Sequence, residues 1–142
     1  MAVPEEYRKR FPRAHNKRPS AGWGTQIQKK NYSLEIFLQK NHLPVSFSFR
    51  FPRSLTELHH IMKDSTKGGL DMIVCFNFGI AYSDPKINWG HASIVESVNT
   101  QTITLIDPEK PSRRKISIQK LYRAIKKHGK KNAAGLWLFR ST

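Results

Sequence analysis

The stretch INWGHASIVESVNTQTITLIDPEKP, Ile87 to Pro111, carries the reading of this chain. HASIVESV and TITLI alternate apolar and polar residues on either side of NTQ, the pattern of two half-buried antiparallel strands joined by a tight turn. One histidine opens the first strand and one Asp-Pro closes the second. With the turn centred on Asn99, facing residues have numbers that sum to 198. His91 then lies opposite Asp107, Ser93 opposite Leu105 and Val95 opposite Ile103. Side chains directly opposed across an antiparallel pair stand about 4.5 to 5.5 Å apart at Cβ. An aspartate at that distance holds an imidazole in one orientation and favours its protonated form, the supporting role it has in nucleophilic triads. The pairing depends on register, since a slip of one residue sends the two groups to opposite faces. A histidine at a strand start and an aspartate before proline are also ordinary strand-end residues.

Outward from the hairpin, DMIVCFNFGI from Asp71 is dense in β-branched and aromatic residues and reads as a buried strand. Ahead of it, RSLTELHHIMKDSTKGG shows Ser54 followed by Glu57, a capping box. Leu55, Leu58, Ile61 and Met62 then form one stripe, and Gly68 is the stop. NYSLEIFLQKN predicts a shorter helix with Asn31 or Ser33 as N-cap. Downstream of the basic PSRRK, Ser117 to His128 places Ile118, Leu121, Tyr122 and Ile125 on one side of a helix whose other side is Lys/Arg, with Gly129 after it. GLWLFR reads as a closing strand. The order, helices first and then an antiparallel sheet interrupted by one helix, is α+β. No internal repeat is present.

The chain has 142 residues, 38% of them hydrophobic and fifteen aromatic (Phe 8, Tyr 4, Trp 3), enough for one core. Residues 1–30 hold Pro4, Pro12, Pro19 and SAGWG among many charges, and read as a basic, irregular arm before a domain over 31–142. No apolar run reaches the roughly 18 residues of a membrane span, and the first residues lack the order of a secretory signal. The expectation is a soluble protein, cytoplasmic or exported as an effector.

Net charge is +15 and unevenly placed. Arg8 to Lys30 carries eight Lys/Arg and no acid, and Lys110 to Lys131 carries ten and no acid, while Asn31 to Glu109 has six basic residues against eight acidic ones. Two basic segments flanking a near-neutral body suit an anionic partner such as nucleic acid, a membrane surface or an acidic protein, and equally a solvated surface. The residues that would grip such a partner are Arg113, Arg114, Lys115, Lys126, Lys127, Lys130 and Lys131.

Other chemistry is thin. Cys75 is the single cysteine, inside an apolar run, and reads as a small buried residue. His59 and His60 are adjacent, so on a helix they point about 100° apart and do not make an i, i+4 metal pair. No CxxC or HExxH occurs, and no metal or cofactor is called for. Asp84-Pro85 reads as a loop turn leading to Trp89 and Gly90 at the wall or hinge of a cleft.

WGHASIVESV followed by ITLIDPEKP resembles the C-terminal half of papain-like proteins, most closely the C39-like peptidases, where a Gly-His opens one strand and an Asp-Pro closes the next. The helix SIQKLYRAIKKHG, the strand GLWLF and the preceding DMIVCFNF fit the same order of elements. Transglutaminases and papain-fold glutamine deamidases share the signature. The resemblance implies a papain-like fold with N-terminal helices packed on an antiparallel sheet. It also implies a cysteine at the start of the first helix, with a glutamine about six residues earlier donating to the oxyanion. Gln26 and Gln28 precede KKNYSLEIF, but the cysteine's place falls on Tyr32 or Ser33. Two outcomes follow from the resemblance. One is an amide hydrolase acting on peptide or protein, with Ser33 attacking, His91 as base then acid, Asp107 orienting it and Gln26 or Gln28 in the oxyanion hole. The other is a disabled relative. Beside both stands a non-enzymatic basic binding module on that scaffold, with Lys110 to Lys131 and the N-terminal arm gripping an anionic partner.

Overall fold

The computed structural model describes residues 33–108 and 111–142. The arm expected over residues 1–30 lies outside them. Among the described residues six strands form one fully antiparallel sheet in the order β1-β6-β2-β3-β4-β5, with helices on both faces.

Helix α1 (Leu34–Lys40) opens on Ser33, whose Oγ accepts a hydrogen bond from Ile36 N at 3.3 Å. Strand β1 (Val45–Arg50) follows it directly and pairs with β6 (Gly135–Ser141) at the sheet edge. Helix α2 (Leu55–Lys67) has the capping box that its sequence promises: Glu57 N donates to Ser54 Oγ at 3.0 Å. The carboxylate reaches one residue further back than in the reciprocal motif, accepting from Arg53 N at 2.7 Å. Then come β2 (Asp71–Asn77), the single-turn α3 (Phe78–Ala81), β3 (Gly90–Val98), β4 (Thr102–Ile106), β5 (Arg113–Ser117) and α4 (Ile118–His128). A 3₁₀ turn at Lys130–Asn132 leads into β6.

Two strands escape the sequence reading. VSFSFR is β1, so the helices do not all precede the sheet, and the basic SRRKIS contains β5 rather than only a connection. GLWLFR closes the chain but sits inside the sheet, between β1 and β2.

The larger core lies on one face. Leu58, Ile61 and Met62 of α2 and Leu121, Ala124 and Ile125 of α4 pack on Val74, Phe76, Val95, Ile103, Leu105 and Leu136. The opposite face carries a smaller cluster in which Cys75 and Trp137 meet Phe47, Phe49, Ile73, Phe139 and Leu34 of α1. Successive strand residues alternate between the two, as the pleat requires.

The hairpin register differs from the sequence expectation. Asn99 N donates to Thr102 O at 3.0 Å, and the Asn99 carboxamide oxygen accepts from Gln101 N at 3.0 Å and Thr102 N at 2.7 Å. The turn is therefore centred later than Asn99, and Val98 pairs with Ile103. A bulge at Glu96 then restores the parity, giving Val95↔Leu105 and Ile94↔Ile106. Facing residues now sum to 200, two more than expected. Continued past its last pair, Ile94↔Ile106, this register would set Ser93 opposite Asp107, with His91 two residues from Ser93 on the same face.

Candidate functional site

His91 is placed by its cross-strand partner Phe76 at the end of β2. The Phe76 and Phe78 rings meet the imidazole edge to face, with centroids at 5.8 and 5.2 Å. From the other side Asp107 reaches in where β4 ends, its backbone N–H donating to Ser112 O at 3.2 Å. Nε2 of His91 and Oδ2 of Asp107 are 3.3 Å apart, with side chains only 8% and 4% exposed. The contact is an ion-pair approach whose angle is not that of a hydrogen bond: Nε2 is buried without a hydrogen-bond partner among the described residues. Because Nε2 faces the carboxylate, Nδ1 is the nitrogen left to exchange a proton with a third group.

Three further residues complete the cluster. Arg114 Nε approaches the same Asp107 oxygen at 3.8 Å, and its guanidinium lies 4.4 Å from the centre of the Tyr82 ring. Burial pushes the Tyr82 hydroxyl above its ordinary pKa; the Asp107 charge adds to that, while Arg114 and Ser93 pull it back. Ser93 and Arg114 come close enough to Tyr82 for that influence, yet Tyr82 OH and Ser93 Oγ are both buried without a well-formed hydrogen bond among the described residues. On the adjoining helix, burial lowers the pKa of His128, whose ring is packed so tightly on Gly90 that any Cβ there would collide with it.

The expected base and its orienter are thus together, as a diagonal rather than a directly opposed pair. Ser33 is elsewhere: it caps α1, which packs through Leu34 on the Cys75–Trp137 face, across the sheet from the imidazole. Gln26, Gln28 and Tyr32 lie outside the described residues. Cys75 follows its sequence reading; burial raises its thiol from 9.0 to about 12.

The basic residues divide. Arg113 is engaged by Glu96, Nε to the two carboxylate oxygens at 2.7 and 2.8 Å. Arg114 turns inward to Asp107, so it is part of the His91 cluster rather than of an exposed grip. Lys115, Lys126, Lys127, Lys130 and Lys131 are exposed. Arg114 and Ser93 were legible: Ile116 is the apolar residue of SRRKIS, so its i−2 neighbour Arg114 shares the core face, and Ser93 shares His91's face two residues on. Among the described residues no cluster of three or more His, Cys, Asp or Glu could hold a metal, and no helix is long and apolar enough to cross a membrane.

No family model and no curated protein matches the chain. Among solved structures it is similar to a crystal structure from Bacillus anthracis provisionally described as a C39-like peptidase, with TM-score 0.47 and 18% identity. The similarity covers 75% of this chain and 57% of that one, so the present chain spans little more than half of its length.

Proposed function

We propose that this chain is a papain-like domain of C39-like type that keeps the base-orienting half of an amide hydrolase and lacks its thiol. The observation that carries the reading is the buried His91–Asp107 approach at 3.3 Å, walled by Phe76 and Phe78. In an active enzyme that carboxylate would steady the imidazolium formed when the ring takes a proton from the nucleophile. The thiolate is the attacking species in such chemistry. Cys75 is this chain's single cysteine; it lies on the other face, and a thiol pushed to about 12 is almost wholly protonated near neutrality. Ser33 supplies a hydroxyl, but on α1 and already engaged in capping. Arg114 adds to the disablement by competing with His91 for the same Asp107 oxygen.

The test is turnover of unstructured peptides and glutamine-containing substrates by the chain. The expected result is no cleavage and no ammonia release above the protein-free rate. Turnover that disappears in His91→Ala would show a working nucleophile and end the reading.

A second reading, a binding domain for an anionic partner, is favoured by one observation. Arg123, Lys127, Lys130 and Lys131 are exposed and have no acidic partner among the described residues. Neutralising phosphates with such cations releases counterions and gives affinity that falls with added salt. Association with a polyanion at low salt, lost as salt is raised, is the expected behaviour.

A further inference from the structure

We infer that the cleft between α4 and the loop over residues 82–89 is a phosphate-binding site, a proposal that rests on the anionic-partner reading and gives it a location. The cleft has a volume of about 540 Å³, and one wall is the flank of α4 that bears Lys120, Arg123 and Lys127. These are spaced i, i+3 and i+7, so they project from one side of the helix, next to the stripe that Leu121, Ala124 and Ile125 bury in the core. None of the three has an acidic partner among the described residues.

The facing wall is a folded loop. Asp84 N donates to Gly79 O at 2.9 Å and Ile87 N to Asp84 O at 3.1 Å, drawing the loop so close over Gly79 that a Cβ there would strike the carbonyls of Asp84 and Ile87. Asn77 pins the far end, donating from Nδ2 to Asn88 Oδ1 at 2.9 Å while its own oxygen accepts from Ile80 N at 2.9 Å. Ser83 stands at the turn with φ 57 and meets Lys120 Nζ across the cleft. The lining contains one acid, Asp84, whose Oδ1 accepts from Lys86 N at 3.1 Å.

Three cations against one carboxylate leave a net charge of +2 in a groove whose shape is set before anything enters. Positive charge on one wall and hydroxyl and amide groups on the other match a phosphate group, which takes charge-assisted hydrogen bonds from the cations and neutral ones from Ser83 and Asn88. A ligand with two or more phosphates can engage Arg123 and Lys127 together, one helical turn apart. Either a free polyphosphate or the phosphodiester backbone of a single-stranded nucleic acid supplies that chemistry.

The experiment measures binding of pyrophosphate by calorimetry and of a fluorescent single-stranded oligonucleotide by anisotropy at low salt. It uses the full chain, the cleft variant Arg123→Ala/Lys127→Ala and the charge-matched control Lys63→Ala/Lys67→Ala on α2. All four positions are exposed, and circular dichroism checks that each variant is folded. The expected result is that at least one ligand binds and weakens by about tenfold or more in the cleft variant but by less than about twofold in the control. Binding of pyrophosphate assigns the site to free polyphosphate; binding of the oligonucleotide without pyrophosphate assigns it to the backbone. Equal losses in both variants would overturn the cleft while leaving the anionic-partner reading intact. Absence of binding by either ligand would overturn both.

Discussion

Cys75 and Phe76 are consecutive residues of β2 and open onto different chemistry. Through Phe76 the sheet faces a compact polar cluster, with His91 and Arg114 gathered about Asp107 beside Tyr82 and Ser93. Through Cys75 it faces Trp137 and a purely packed aromatic cluster under α1. A charged group and a thiol can thus be near neighbours in sequence and still be unable to react, because a strand sends alternate side chains to opposite faces. Which face a side chain occupies therefore decides which groups it can meet.

The largest effect that separates the faces is expected from Asp107→Ala. Removing the carboxylate leaves the half-buried Arg114 without its counter-charge and the buried His91 ring without the polar group it approaches, and breaking a buried pair costs about 3 to 5 kcal/mol. Urea unfolding measures it. The same substitution in a His91→Phe/Arg114→Leu background should cost far less, since no cation is then stranded. A single-variant loss below about 1 kcal/mol would mean that the cluster is held by packing alone.

Trp137→Ala probes the other face, with an expected loss of about 3 kcal/mol from the cavity and from the indole that donates to Ala133 O at 2.9 Å. Combined with Asp107→Ala it should be additive to within about 0.5 kcal/mol, because the sheet separates the sites. A larger coupling energy would show that the faces communicate.

Cys75 gives a pH signature. Its folded pKa, about 12, lies above the unfolded value of about 9, so between those limits the folded state holds the proton more tightly. Stability should therefore fall as pH rises from about 9 towards about 12, and this component should be absent in Cys75→Ala. The native thiol should resist alkylation near pH 8 and react once denaturant is added; rapid native labelling would contradict its burial. The smallest effect is expected at Ser93. Its buried hydroxyl lacks a well-formed hydrogen bond, so Ser93→Ala should change stability by no more than about 0.5 kcal/mol or raise it slightly.

Local signals carried much of the fold. Ser54, Glu57 and Gly68 bounded α2, Ser117 and Gly129 bounded α4, and the apolar alternation marked β3 and β4. β1 was hidden because VSFSFR is a short, half-exposed edge strand just after a proline, and β5 because its charges mask a period of two. The His91–Asp107 association was legible although the register was not. The Asn99 turn and the Glu96 bulge together shifted the pairing by two residues, which preserves the face. A shift of one would have separated the pair. Ser33's position was legible only locally: the sequence marks it as an N-cap, but which face α1 covers depends on packing against β1 and β6, whose places in the sheet are set by long-range pairing.

The most direct test introduces a thiol at Ser33 and asks whether His91 senses it. In Ser33→Cys/Cys75→Ala, the rate of alkylation against pH reports the thiol's pKa. With α1 across the sheet from His91, that pKa should be no lower than a helix N-terminus alone produces, and it should be unchanged when His91→Ala is added. A thiolate that persists well below pH 7 and disappears with His91→Ala would place the nucleophile beside the base and contradict the account.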